Sequence, residues 1–244
     1  MAKNDSINVM QMKVNEMVSL MTPLYAASNP KEIPSLMLWG APGIGKSRSI
    51  DAISKKLETM TGKKVVVTDV RLLLFNPVDL RGIPVADAKR ELAIWLKPKI
   101  FQMDPSDNII NILMLDELSA APQSVQAAAY QITLDRIIGE HKLPDNCIVI
   151  AAGNRVTDKS VAYKMPKALG NRLTHLEIIC DIDDWKQWAI PAGIDSRIVG
   201  FLNYMSSKLF VFDPSNDDNA YPTPRSWEMV HRYLTKINSI EQAF

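Results

Sequence analysis

Short apolar runs alternate with longer amphipathic segments along the first three quarters of the chain. Five of these runs have the length and composition of buried strands, and they cover residues 35–39, 64–70, 108–115, 147–152 and 174–179. Apolar positions at helical spacing lie between several of the runs, at residues 49–57, 122–134 and 164–169. Strands that alternate with helices predict an α/β fold with a parallel sheet, whose ligands bind at the carboxyl ends of the strands.

An amphipathic helix is also predicted before the first of these strands. Its apolar residues recur at helical spacing and are Met10, Val14, Met17, Val18, Met21 and Leu24. A stripe of this regularity is typical of a helix face that packs in a core. We therefore expect a helix that begins near Met10 and buries these side chains.

The pattern changes after Asp181. Three further helices are predicted at residues 183–188, 195–206 and 224–236, with the polar loop 213–219 among them. We place a domain boundary near Asp181 or Ile182, which gives a core over residues 1–181 and a small helical unit over 182–244. Because the helical unit stops abruptly at Phe244, we expect it to be incomplete.

Composition and charge indicate the cellular compartment and the classes of partner, but they say little about the chemistry of the protein. The chain has 244 residues and a formal net charge of +1, so charge gives no reason to expect a nucleic-acid partner. Of its two cysteines, Cys147 opens an apolar run, which favours a buried free thiol in a reducing compartment. No apolar run is long enough to cross a bilayer, and the N-terminus lacks the apolar core of a secretion signal. We expect a cytoplasmic protein with no membrane partner.

The most informative segment directly follows the first strand. It consists of Gly40, Ala41, Pro42, Gly43, Ile44, Gly45, Lys46 and Ser47, and Arg48 comes next. This is the pattern of a phosphate-binding loop between a strand and a helix. Its glycines turn backbone N–H groups toward a ligand, and the helix that follows directs the positive end of its dipole there. We assign nucleoside triphosphate binding to all nine residues, with Lys46 on the β- and γ-phosphates and the Ser47 hydroxyl on Mg²⁺.

Polar residues follow two later strands in positions that suit phosphoanhydride hydrolysis. Asp116 and Glu117 come directly after four apolar residues, and Asn154 ends the fourth strand. We expect Asp116 to take part in nucleotide binding by holding Mg²⁺, directly or through water, and Glu117 to orient or deprotonate the attacking water. The Asn154 amide could hydrogen-bond the γ-phosphate or that water. The alternatives are an acidic surface loop and a turn-forming asparagine.

Two arginines are candidates for stabilising charge on the γ-phosphate. Arg172 lies just before the fifth strand, and Arg225 opens a helix after Pro224, a residue suited to the first turn. An arginine supplied by a neighbouring subunit or by a mobile domain can neutralise the charge that develops during hydrolysis. A solvated surface arginine is the alternative for each.

The ordered motifs resemble those of the AAA+ ATPases and, within them, the MoxR-like branch. The matching stretches are GAPGIGKS, LMLDE, AAGN, ALGNRL and TPRSWE, and DLRGIPV and LSAAPQSVQAAAYQ are also similar to that branch. The resemblance covers most of residues 33–227. It implies an ATPase that uses ATP and Mg²⁺, with a five-stranded parallel αβα core, a helical lid and assembly into a ring, expected to be hexameric, with active sites at subunit boundaries.

The resemblance also implies roles for individual residues and partners. Asn154 matches the first sensor, Arg172 the arginine finger that acts on the neighbouring subunit, and Arg225 the second sensor on the lid. Arg155 lies close enough in sequence to share the finger's task. A chaperone-like role in remodelling or activating a protein client is implied, often a protein with a von Willebrand factor A-type or metallopeptidase-like domain.

Two segments are candidates for contact with that client. Residues 80–84 follow the second strand, and we hypothesise that they couple nucleotide state to the client; the alternative is a loop packed on its own subunit. A hairpin is predicted at residues 136–146, where His141 has no ligand spacing for zinc.

Three other functions stay open. They are a DNA-directed AAA+ motor or clamp loader, a small-molecule kinase, and an ATP-dependent scaffold with little turnover. Glu117 and Asn154 fit hydrolysis better than transfer to a metabolite.

Overall fold

Six parallel strands form the central sheet of the computed structural model, which describes residues 9–155, 163, 165, 170–215 and 220–241. The strands of the chain are β1 Met10–Lys13, β2 Leu36–Trp39, β3 Lys64–Arg71, β4 Ile83–Ala86, β5 Ala93–Leu96, β6 Ile109–Asp116, β7 Ile137–Ile138, β8 His141–Lys142, β9 Cys147–Gly153 and β10 Thr174–Ile179. The central sheet has the order β1-β10-β2-β9-β6-β3, and β4-β5 and β7-β8 form two small antiparallel hairpins.

The helices are α1 Val14–Ala27, α2 Lys46–Thr61, α3 Pro77–Arg81, α4 Gln123–Asp135, α5 Ile182–Ala189, α6 Ser196–Tyr204 and α7 Pro224–Glu241. Short 3₁₀ turns occur at Pro30–Glu32, Leu72–Leu74, Lys99–Phe101 and Ser206–Lys208. All five predicted strands are confirmed, and they lie parallel as expected for an α/β fold. Of the predicted helix at 164–169, only Met165 is among the described residues.

The sheet separates two apolar layers because successive side chains of a strand point to opposite faces. On β6, Leu113 and Leu115 belong to one buried cluster, and Ile112 and Met114 belong to the other. Helix α4 packs on the first face, and helices α1 and α2 pack on the second. On α2, the predicted face of Ile50, Ile53 and Leu57 is fully buried, which fixes the helix that follows the phosphate-binding loop.

The N-terminal helix differs from the prediction at both ends. Met10 lies in the edge strand β1, paired with Leu176, and is 62% exposed, so its assignment to a helical core face was wrong. Leu24 is 44% exposed and was also assigned wrongly to the core. The helix begins at Val14 because the Glu16 carboxylate accepts a hydrogen bond from the Lys13 backbone N–H at 3.0 Å. That start leaves residues 10–13 free to extend the sheet edge.

The C-terminal helices pack around a buried cluster of their own. Helices α5, α6 and α7 occupy the positions predicted for them, and α5 begins three residues after the last strand. Asp181 caps α5 by accepting hydrogen bonds from the backbone N–H groups of Asp183 and Asp184. Their buried cluster consists of Trp185, Ala189, Ile194, Ile198, Leu202 and Leu209.

Two predictions from composition can be compared with the structure. Cys147 is buried, as predicted, and burial raises the pKa of its thiol to about 11. Within the described part of the chain, no helix is both long and apolar enough to cross a membrane.

A substitution at Gly153, the last residue of β9, tests how tightly the carboxyl end of this central strand is packed. A Cβ at Gly153 would lie 2.6 Å from the Ser119 hydroxyl oxygen and 2.8 Å from the Met37 methyl carbon. We expect Gly153→Ala to lower the free energy of unfolding by about 1–3 kcal/mol, measured by urea denaturation, because the core must shift. Gly200→Ala is the control, since a Cβ there meets nothing within 4 Å, and it should be neutral or stabilising by about 0.5–1 kcal/mol. Equal stability of Gly153→Ala and the wild type would contradict this packing.

Candidate nucleotide-binding site

A cavity of about 550 Å³ lies at the carboxyl ends of the central strands, between the sheet and the C-terminal helices. The predicted site residues that line it are Pro42, Gly43, Ile44, Gly45, Lys46, Ser47, Arg48, Asp116, Glu117, Asn154 and Arg225. These residues come from four separate segments of the chain, and the fold brings them to one cavity. Gly40 and Ala41 lie at the base of the loop, outside the lining of this cavity and in that of a second, more open one.

The loop has the backbone that its glycines were expected to provide. Gly43 and Gly45 have φ angles of 78° and 111°, which side chains other than glycine rarely adopt. Helix α2 then begins at Lys46, so its free N–H groups and positive dipole end face the cavity. This geometry suits an anion such as a phosphate.

Lys46 connects the loop to the end of β9. Its ammonium donates hydrogen bonds to the carbonyl oxygens of Gly40 and Ala41, at 2.6 and 3.2 Å, and to Oδ1 of Asn154, at 2.8 Å. The two residues are 108 positions apart in the sequence. A charge and an amide dipole therefore converge above the loop, as binding of a γ-phosphate requires.

The acidic pair lies beside the loop serine. The Ser47 hydroxyl oxygen is 3.5 Å from Oδ2 of Asp116, and Oδ1 of Asp116 accepts the Glu117 backbone N–H at 2.8 Å. Glu117 has a φ of 58°, and its buried Oε2 has no hydrogen-bond partner among the described residues. Backbone strain and an unpaired buried carboxylate oxygen are features of residues that act on a ligand.

Asp69 adds a carboxylate near this edge that the sequence interpretation missed. It lies on β3, next to β6 in the sheet, and burial first, then the charge of Asp116, raises its pKa. Its position at the end of an apolar run was the available signal.

The C-terminal helices contact the loop helix through Arg48. Its guanidinium lies 2.8 Å from the Glu228 carboxylate on α7 and 5.8 Å from the centre of the Trp188 ring on α5. Glu228 also pairs with Arg232, at 2.8 Å. Partial burial acts to raise the pKa of Glu228, but hydrogen bonds from Arg232 and Arg48 outweigh it and hold that pKa below its usual range. Neither Glu228 nor Trp188 was predicted as a site residue from the sequence, where Glu228 appears only within the stretch TPRSWE.

Other residues that line the cavity were not predicted as site residues. They include the apolar Val14, Cys180 and Trp185 and the polar Asn15, Asp181 and Asp184. The Asn15 backbone N–H donates to Asp184 Oδ1 at 3.1 Å, and burial raises the pKa of Asp184. The indole N–H of Trp185 is buried and has no hydrogen-bond partner among the described residues. Aromatic and aliphatic walls with a few polar groups are typical of a pocket for a flat organic ligand.

The two candidate finger arginines lie away from the cavity of their own chain. Arg172 is exposed in the turn before β10, and it is absent from the cavity lining among the described residues. Arg155 lies 2.8 Å from the Glu177 carboxylate, in an ion pair whose glutamate side chain is mostly buried. Arg155 is therefore engaged within its own chain, whereas Arg172 is exposed.

Comparison with known proteins identifies the family. Residues 35–175 match the family described as the ATPase family associated with various cellular activities (AAA), and this range spans the loop, the acidic pair and Asn154. The chain belongs to the AAA family of ATPases. Arg225, which also lines the cavity, lies outside the matched range.

Individual relatives of this AAA protein are distant. Replication factor C subunit 5 of Arabidopsis thaliana is 26% identical over 156 residues, which is 61% of this chain and 39% of that protein. A mutant of RuvB from Thermotoga maritima aligns over 94% of this chain and 63% of that one, with a TM-score of 0.53 and 13% identity. NtrX from Brucella abortus aligns over 94% of this chain and 52% of that one, with a TM-score of 0.49 and 16% identity. The chain therefore spans about two fifths of the curated relative and less than two thirds of both structures.

Gly43 tests the contact between the loop and the C-terminal helices. A Cβ there would lie 2.9 Å from the Thr223 hydroxyl oxygen, at the start of α7, and the φ angle is positive. We expect Gly43→Ala to weaken binding of a fluorescent ATP analogue at least tenfold, because the added methyl group displaces either the loop or α7. Gly193→Ala is the control, with a φ of 72° and nothing within 4 Å of the added Cβ, and its affinity should stay within twofold of the wild type. Equal affinities of the two variants would contradict the role of this contact.

Proposed function

We propose that this AAA protein is a MoxR-like ATPase that hydrolyses ATP with Mg²⁺ in a ring and uses the resulting movement to remodel or activate partner proteins. The observation that carries the proposal is the convergence of Lys46, Asp116, Glu117, Asn154 and Arg225 on one cavity. ATP would bind with its triphosphate on the loop N–H groups and Lys46. Its base would lie at the end of the cavity formed by Val14, Trp185 and their neighbours.

The donor set near the loop fits Mg²⁺. Hydroxyl and carboxylate oxygens come together at Ser47 and Asp116, and these are the hard ligands that Mg²⁺ takes alongside phosphate oxygens and water. No group of three or more His, Cys, Asp or Glu that could hold a metal occurs within the described part of the chain. When bound, Mg²⁺ would neutralise charge on the β- and γ-phosphates.

Hydrolysis follows from the remaining groups. Glu117 accepts a proton from the attacking water while the water oxygen bonds to the γ-phosphorus and the bond to the β–γ bridging oxygen breaks. Asn154 holds the γ-phosphate or the water in line. Arg225 of the same chain and Arg172 of the neighbouring subunit neutralise the developing charge. The exposure of Arg172, and the ion pair that retains Arg155 on Glu177, support Arg172 as the arginine that acts across the subunit boundary.

The movement produced by hydrolysis would arise between a core over residues 1–181 and a helical lid over 182–244. The two units would meet at the cavity, where Gly43 lies close to Thr223 and Arg48 pairs with Glu228. Loss of the γ-phosphate changes the charge that these groups surround, and the two units can respond by a hinge motion.

The β4-β5 hairpin is the proposed contact with a protein client. Its exposed apolar side chains include Ile83 at 62% and Leu92 at 69%, whereas Leu80 is buried and belongs to the core. The hairpin is held on its own subunit, since His141 lies 2.8 Å from the Trp95 carbonyl oxygen. The client would be a protein with a von Willebrand factor A-type or metallopeptidase-like domain, by the resemblance to the MoxR-like branch.

The similarity to a replication factor C subunit favours a second candidate, a DNA-directed AAA+ motor or loader. Against this candidate, the net charge of +1 of the chain gives no general attraction to nucleic acid. Stimulation of ATP hydrolysis by DNA at physiological salt would select this candidate over a protein-remodelling role.

A mixing experiment tests the shared active site. We expect Glu117→Gln to bind ATP without turnover and Arg172→Ala to lose at least about tenfold in hydrolysis rate, because each removes one half of the site. Mixed in equal amounts, the two inactive proteins should regain activity, since a Glu117→Gln subunit still supplies Arg172 to an Arg172→Ala neighbour. Arg197→Ala, which removes an exposed arginine elsewhere, is the control and should hydrolyse ATP normally. Failure of the mixture to exceed the sum of its parts would count against an arginine supplied in trans.

A further inference from the structure

His175 forms a link that none of the assigned roles uses. The Trp39 indole nitrogen is 2.8 Å from His175 Nδ1, and His175 Nε2 is 2.6 Å from the Gly170 carbonyl oxygen. The indole and imidazole planes differ by only 10°. One imidazole therefore joins two segments that are distant in sequence.

The chemistry of the two partners fixes the proton of His175. An indole N–H can only donate, so Nδ1 must accept, and a carbonyl oxygen can only accept, so Nε2 must carry the hydrogen. Both nitrogens of a neutral imidazole are then satisfied. The two hydrogen bonds therefore run in one direction, from Trp39 to His175 and from His175 to Gly170.

The two ends of the link are the two parts of the proposed shared active site. Trp39 is the last residue of β2 and precedes Gly40, whose carbonyl oxygen accepts a hydrogen bond from Lys46 at 2.6 Å. Gly170 precedes the turn that carries the exposed Arg172. The phosphate-binding loop of a subunit is thus connected by hydrogen bonds to the turn that this subunit would present to its neighbour.

The turn that carries Arg172 is held by the sheet at one end and by His175 at the other. The Thr174 N–H donates to the Ser35 carbonyl oxygen at 3.0 Å, and β10 is paired on both sides, with β1 and β2. Leu173 is buried in the core. The chain is therefore fixed from residue 173 onward, and the His175–Gly170 bond fixes the other end of the turn.

We propose that His175 is a positioning residue that holds the Arg172 turn on the strand leading to the phosphate-binding loop, and so sets the arginine that the subunit supplies to the next active site. The inference rests on the proposed function, because it needs Arg172 to act in trans. It adds a route by which the loop of one subunit affects hydrolysis in its neighbour.

The test measures the effect in the neighbour's active site. Arg172→Ala subunits serve as acceptors, and Glu117→Gln subunits serve as donors that supply Arg172 but do not hydrolyse ATP. Adding His175→Phe to the donor keeps an aromatic side chain at this position but removes both of its hydrogen bonds. We expect the donor's stimulation of the acceptor to fall at least tenfold, while its own ATP affinity, oligomer mass and unfolding temperature stay close to those of the parent donor.

Two further donors separate positioning from a general structural defect. His175→Gln returns an N–H donor toward the Gly170 carbonyl and should recover most of the stimulation. Trp39→Phe leaves the histidine in place without its indole partner and should lose about threefold. Combined with His175→Phe it should add no further loss, because both changes act on one link.

The outcomes distinguish the inference from the function on which it rests. A His175→Phe donor that stimulates within twofold of its parent overturns the inference and leaves the trans arginine intact, and should that variant not fold, an unimpaired Trp39→Phe donor does the same. A parent Glu117→Gln donor that fails to stimulate the acceptor overturns both.

Discussion

The parallel pairing of β2, β9 and β6 is the constraint on which the site depends. Trp39 lies opposite Gly153, and Leu115 lies opposite Ala151, so the three strands end at nearly the same level of the sheet. The phosphate-binding loop follows β2, Asn154 follows β9, and Asp116 and Glu117 lie at the end of β6. Buried side chains on both faces keep this register, since a slip of one residue would turn every apolar side chain to the wrong layer. The groups proposed to contact phosphate, metal and water are thereby held close together.

The contacts between the core and the C-terminal helices depend on the same edge. Arg48 lies one residue beyond Ser47 on α2, and it reaches both Trp188 and Glu228. Gly43 allows Thr223 to approach the loop closely because it has no side chain. The C-terminal helices are thus in contact with the residues proposed to surround the triphosphate. An exposed ion pair contributes little to stability, so the Arg48–Glu228 pair serves orientation more than folding.

Local sequence patterns were sufficient for the main strands, for most of the longer helices and for the positions of the polar residues at strand ends. Apolar runs bounded by turn residues predicted the five main strands, and the loop motif predicted the start of α2. The edge strand β1 was missed because residues 10–13 continue the apolar spacing of α1, and the Glu16 carboxylate that starts the helix at Val14 gives a weak signal. The burial of Leu24 was predicted wrongly because helical spacing does not tell which part of an apolar stripe meets the sheet. Three sets of contacts join residues more than a hundred positions apart, and only tertiary packing determines them. They are the contacts of Arg48, the part of the cavity wall formed by Asn15, Asp184 and Trp185, and the link through His175.

If the proposed ATPase site is shared between copies of the chain, hydrolysis requires assembly. The most direct test is the steady-state rate of ATP hydrolysis per subunit, measured at saturating ATP and Mg²⁺ from nanomolar to micromolar protein, with Lys46→Ala as the background. With a shared site, the rate per subunit rises with protein concentration and levels off as the assembly forms. A rate above background that is constant at all concentrations would show that one chain suffices, and it would contradict the shared site.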